Sequence, residues 1–219
     1  MERSHRKRCR RSQRGAVAVE TALVMPLLMA VLFGIVEVSL LIRDHVAITS
    51  AVRVGSRIAS AAADAGPGTC LSGQAAATCT PTSSPALAQQ AADAIQRAGS
   101  AMPPDQIDYI LVYKANREGY PGPDGNTTMP SSCGTAANCV KFVWRDSANA
   151  FRYDGGSWDS KSINACVNES DTLGVHMHAT HKFITGIFGA TLGLADRSVM
   201  RFEPLPEDSC KPGTVAAHS

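Results

Sequence analysis

The 219 residues contain no Cys-x-x-Cys pair, no nucleophile elbow, no P-loop and no His-Glu-x-x-His motif. The first absence removes the usual ligand spacing of a structural zinc cage. The others remove the sequence marks of hydrolase, phosphate-binding and zinc-peptidase chemistry. Glycines occur, but they form no dinucleotide-binding fingerprint. Charge is scarce where it matters most: from Ala16 to Ile42 the only ionisable residues are Glu20 and Glu37. This run is too long for a secretory h-region, and no small-residue cleavage site follows close behind it, since the Ala-rich stretch 59–63 lies well downstream. It is therefore expected to remain as an anchor, a single helix able to span a hydrocarbon core of about 30 Å.

What precedes the run is basic. Residues 1–15 hold seven of the 21 Lys and Arg against Glu2, a net +6, so the chain's overall +2 leaves −4 for residues 16–219. Basic residues beside a span stay on the cytoplasmic side, so the leader is expected inside and the rest outside. The same arginines would attract nucleic acid by charge alone, but adjacency to a span explains them better, and no nucleic-acid partner is expected. The leader ends in one glycine, Gly15, and a single carboxylate, Glu20, follows inside the apolar run. An ionisable group there costs a few kcal/mol on insertion, roughly 2.5–3.5 at the bilayer centre and less near its edge, and so reads as functional. A bare glycine permits close approach of a peptidase, and a cut between Gly15 and Ala16 would make Glu20 the fifth residue of the mature chain.

These residues resemble the processing site of type IV prepilin-like proteins. The run from Arg14 to Leu28, the Phe33-Gly34-Ile35-Val36-Glu37 segment and Ala51-Val52-Arg53-Val54-Gly55-Ser56-Arg57 are together similar to the TadE-like pseudopilins of tight-adherence pilus systems. A weaker likeness runs from Gly174 to Pro204, through Thr185-Gly186-Ile187-Phe188-Gly189. The resemblance implies a prepilin peptidase acting after Gly15 and an assembly role for Glu20, paired with the new amine of Ala16. It also implies partnership with other pseudopilins and pilus-assembly proteins of a bacterial cell membrane.

The expected organisation is a leader (1–15), a transmembrane helix (16–42), its amphipathic continuation (43–63) and an extracytoplasmic domain (64–219). Pro26 falls inside the span, where it frees a carbonyl and is expected to kink the helix. Glu37 lies near the far interface and reads as a solvated acid. Ile48, Val52, Gly55, Ala59 and Ala62 recur at helical spacing, with Asp44, Arg53 and Arg57 assigned to other faces. Gly66-Pro67-Gly68 breaks the helix. A second helix is expected from Ser84-Pro85, capped by the serine, striped by Leu87, Ala91, Ile95 and Ala98, and closed by Gly99. Strands are expected at 107–113, around Val140-Lys141-Phe142-Val143-Trp144, at 173–179 and within 192–202. The fold class is thus α+β, with about four mainly antiparallel strands that the anchor helix covers on one face.

Cys9 lies in the leader, while Cys70, Cys79, Cys133, Cys139, Cys166 and Cys210 lie beyond the span, where disulfides persist. Six cysteines allow 15 pairings; the short spacings favour Cys70 with Cys79 and Cys133 with Cys139, leaving Cys166 for Cys210. His176, His178 and His181 are the nearest approach to a catalytic or metal-binding group. On a strand the first two share a face and the third falls opposite, and all three read as the solvent side of an ordinary two-sided strand. No catalytic residue, metal site or cofactor is expected, and the Asn126-Thr127-Thr128 triplet is given no role. Three functional classes follow: a pseudopilin-like assembly component, an anchored binding module outside any filament, and a surface metalloenzyme. The first is favoured because only it uses a processed leader and Glu20.

Overall fold

The computed structural model describes residues 9–98, 102–134, 136–186 and 188–212, with side chains from residue 15 onward. Residues 1–8 of the leader, the proposed cap Gly99 and Ile187 lie outside the described residues. The apolar run forms part of one helix, α1 (Cys9–Ser60), which contains Pro26. Helix α2 spans Ala86–Arg97, and five strands follow: β1 (Ile107–Ala115), β2 (Cys139–Arg145), β3 (Ala150–Ser157), β4 (Thr172–Lys182) and β5 (Thr191–Arg201). The chain divides into two compact units, one of Met1–Ile42 with Phe183–Ala190, the other of Arg43–Lys182 with Thr191–Ser219.

In the first unit, α1 buries almost nothing. Its most apolar stretch has a mean hydropathy of 2.4 with 6% of its residues buried, and it is the one helix among the described residues long and apolar enough to cross a membrane. Leu23, Leu27, Leu32 and Ile35 stand more than half exposed. A core helix of a water-soluble protein would hide these side chains, so the pattern fits single-pass membrane anchoring.

The second unit is built on one antiparallel sheet of order β3-β2-β1-β4-β5. One face carries Ile110, Val112, Phe142, Val175 and Met177, which share a core with Ile48, Val52 and Ala59 of α1 and Leu87, Ala91 and Ile95 of α2. Burying each of the larger aliphatic side chains contributes about 1.5–3 kcal/mol. The helices meet where α1 has no side chain: a Cβ at Gly55 would lie 2.9 Å from two Ile95 atoms. Gln89 and Gln96 of α2 donate to the carbonyls of Phe151 and Asn149 at 3.1 and 2.9 Å, tying the helix to β3. The opposite face buries Leu111, Tyr113 and Ala115 beneath the Cys133–Cys139 segment and Met129.

Several details differ from the sequence reading. The sheet has a fifth strand, β3, at the edge beside β2. Gly155 and Gly156 pair with Lys141 and Val140, Gly156 at φ 90°, and the register shifts at the adjacent Asp154 before Tyr153 pairs with Phe142, so this glycine-bearing segment is a bulged edge strand. Helix α2 is entered through Pro85, and Ser84 makes no side-chain cap; its hydroxyl is buried. Ala98 is exposed, and the buried stripe runs instead through Leu87, Ala88, Ala91, Ala92, Ala94 and Ile95.

Candidate functional site

At the beginning of α1 the chain offers a bare, open stretch. A Cβ built at Gly15 meets nothing within 4 Å, and Ala16 and Glu20 are both exposed. Four residues apart on one helix, Ala16 and Glu20 share a face. Thr21, beside the acid, turns its hydroxyl back to the carbonyl of Val17 at 2.8 Å, which leaves Glu20 as the polar group presented outward here. The Gly15–Ala16 peptide lies inside helix α1, so any enzyme that cut there would first have to unwind it locally. Glycine would ease such unwinding, being about 1 kcal/mol less favourable than alanine in a helix interior.

Glu37 behaves differently from its sequence reading. It is 1% exposed, not solvated, and its carboxylate accepts the Thr185 N–H, both residues belonging to the first unit.

Further along, α1 presents polar groups to the sheet within the second unit. Asp44, expected on an outer face, is 3% exposed; its Oδ2 lies 2.7 Å from His181 Nδ1, and its Oδ1 pairs with Arg43 at 3.2 Å. Thr49 donates to Asp196 of β5 at 2.6 Å, and Ser56 donates to Ser198 at 2.8 Å. The Ser60 carbonyl accepts the Glu203 N–H. Sequence periodicity misses this ladder because it scores apolar residues, while the helix faces an edge strand rich in polar groups. The usable signal was Asp44, Thr49 and Ser56 lying on or next to the apolar stripe.

The three histidines are therefore not one solvent-facing row. His181 is 3% exposed against Asp44, and His176 is 6% exposed beneath Tyr109, whose ring centroid lies 6.0 Å away. Burial pushes the His176 imidazole down to about 4, with His178 acting in the same direction. His178 alone reaches solvent, stacked on Tyr109 at 5.3 Å and joined to Asp108 at 2.7 Å; Thr180 donates to the same Asp108 oxygen. His176 and His178 share the face of β4 that carries Tyr109, His181 lies on the other face against α1, and each histidine has its own partners. Among the described residues no group of three or more His, Cys, Asp or Glu side chains is arranged to hold a metal ion.

Three disulfides close the second unit: Cys70–Cys79, Cys133–Cys139 and Cys166–Cys210, with sequence separations of 9, 6 and 44. The third binds the C-terminal tail beside β4, where the Ala165 N–H donates to the Cys210 carbonyl and the Leu205 N–H to Ala165. Asn126 is engaged inside its loop, donating to Pro121 at 2.6 Å and accepting from the Thr128 hydroxyl.

Residues 15–57, from the bare glycine to near the C-terminal end of α1, match the family model for TadE-like protein. No curated protein and no solved structure matches the chain.

Proposed function

We propose that this chain, which carries the TadE-like segment at residues 15–57, is a minor pilin-like component of a tight-adherence pilus or a related secretion machine. The TadE-like match suggests a pilus-associated structural component, and the apolar helix fits a single-pass anchor. The finer reading concerns how it works. It acts by protein–protein assembly, without catalysis, and its partners are a prepilin peptidase, other pseudopilins and the membrane proteins of the assembly machine. The basic leader stays cytoplasmic and the disulfide-bonded domain lies outside the bacterial cell membrane, as the charge asymmetry favours.

One observation carries this reading: Glu20 is the sole ionisable residue between Arg14 and Glu37, it is exposed on the helix, and it shares a face with Ala16. After a cut behind Gly15, Ala16 bears a charged amine. In a low-dielectric setting an opposite charge within a few ångströms offsets part of the desolvation of each, whether the amine belongs to the same chain or to a neighbour. Glu20 is then a recognition element that is satisfied on assembly.

The test has two arms. Co-expression with a prepilin peptidase shortens the wild-type chain to an N-terminus at Ala16, read by mass spectrometry, and Gly15→Val blocks the cut by crowding the approach. Glu20→Gln keeps size and removes charge, so processing, membrane insertion and outer disulfides persist while pilus formation or secretion is lost. Normal pili with Glu20→Gln would sink the role of the acid, and an uncut N-terminus at Met1 would sink the processing step. A chain that stays anchored but enters no filament would point to a displayed binding module.

A further inference from the structure

The loop 183–190 joins β4 to β5 and holds no charged residue. Ile184 is 73% exposed and Phe188 56%, an unusual composition for a strand connection facing water. Gly186 and Gly189 adopt φ of 71° and 109°, conformations that suit glycine, and they fold the loop back on itself. The Gly189 N–H donates to the Gly186 carbonyl at 3.2 Å, and the Phe183 N–H to the Ala190 carbonyl at 3.1 Å. Phe183 and Phe188 pack ring to ring at 6.2 Å.

This loop belongs to the same compact unit as the apolar part of α1, and it meets the helix at two points. A Cβ at Gly34 would stand 3.9 Å from the Phe188 ring, so the absence of a side chain lets the ring lie close over the helix. One turn on, Glu37 accepts the Thr185 N–H. The carboxylate is 1% exposed although Val36 and Val38 beside it are 51% and 45% exposed. The loop thus covers the acid while leaving Ile184 and Phe188 bare.

The depth of this contact follows from helix geometry. At 1.5 Å per residue, a hydrocarbon core of about 30 Å takes about 20 residues, which, counted from Ala16, ends close to Gly34 and Glu37. Backbone amides entering the edge of that layer need an internal partner, because lipid offers none. Glu37 supplies one for Thr185, and the contact simultaneously withdraws a carboxylate from the acyl chains.

We propose that the loop 183–190 dips into the interfacial layer of the bilayer that α1 spans, on the side away from the leader, with Ile184 and Phe188 immersed in lipid. The occupant is lipid because the bare side chains continue the exposed apolar surface of α1 at the level where the span ends. The inference rests on α1 being a membrane anchor, and the test separates the two. Full-length protein is reconstituted into phosphatidylcholine vesicles, plain or brominated on the acyl chains near the headgroup, and first washed with carbonate. Retention is expected, and release would overturn the anchor and the inference together. With the protein retained, Ile184→Trp and Phe188→Trp are each read by difference from the wild type, and Leu71→Trp, at a position 71% exposed in the second unit, serves as the aqueous reference. The added tryptophans at 184 and 188 should emit to the blue of the reference, lose most of their emission in brominated vesicles and resist iodide. Quenching by iodide as at Leu71→Trp would overturn the inference and leave the anchor standing. So would shielding from both quenchers, which would mark a protein contact at the loop.

Discussion

His176 shows how far a single residue departs from the pattern it sits in. Alternation assigns it to an outward face, and that face is nevertheless covered, by Tyr109 and by the neighbourhood of Asp196 and Arg197. The unfolded imidazole titrates near 6.5, while burial lowers the folded value to about 4. The unfolded chain therefore binds the proton first as pH falls. The contribution to stability is fully present above about 6.5 and is lost as pH drops through the interval down to about 4, on the order of 3 kcal/mol in all. Urea unfolding of the full chain in detergent micelles should show a fall in midpoint between pH 7 and pH 4.5 that is shallower in His176→Gln. An unchanged slope in that variant would remove His176 from the acid response.

At the scale of elements, α1 is the most legible part of the sequence and also the part whose packing is least so. An apolar run charged only at Glu20 and Glu37, and bordered by Arg14 and Arg43, is long enough to span a membrane. The C-terminal part of α1 needs a partner surface before any of its polar residues make sense: Asp44, Thr49 and Ser56 find theirs on β4 and β5. Gly55 is similar, since only the position of α2 explains why a side chain is missing there. Gly55→Val should force Ile95 aside and lower stability by about 1–3 kcal/mol through overpacking, with Gly55→Ala milder. Equal midpoints for both variants and the wild type in urea unfolding would show that the helices separate without cost. Strand β3 escaped the sequence because Gly155 and Gly156 carry the usual mark of a turn, and a bulge at a sheet edge uses glycine for the same conformational reason.

For the molecule as a whole, the three disulfides set how the second unit resists unfolding. Closing a longer loop removes more freedom from the unfolded chain. The pair separated by 44 residues is thus worth about 4 kcal/mol on a chain-entropy estimate, against about 2–3 kcal/mol for the pairs separated by 9 and 6. Replacing Cys166 and Cys210 together by serine should lower the unfolding midpoint more than replacing either short pair. Non-reducing peptide mapping of the wild type should recover all three linkages, and free thiols at these positions would contradict them.

The sequence by itself determined an apolar helix long enough to cross a membrane, the charge asymmetry on either side of it, the α+β order of elements and the even set of cysteines that follows it. Each of these is a one-dimensional property: a length of apolar chain, a sign of charge, a period of two or of three and a half, a spacing. Tertiary structure alone decided that Glu37 is covered, that Asp44 and His181 meet, that His176 is buried, and that the 183–190 loop lies against Gly34. These depend on which segments distant in sequence come within a few ångströms of each other. A polar residue's burial is set by the partner that satisfies it, and no local pattern records a partner on a distant segment of the chain.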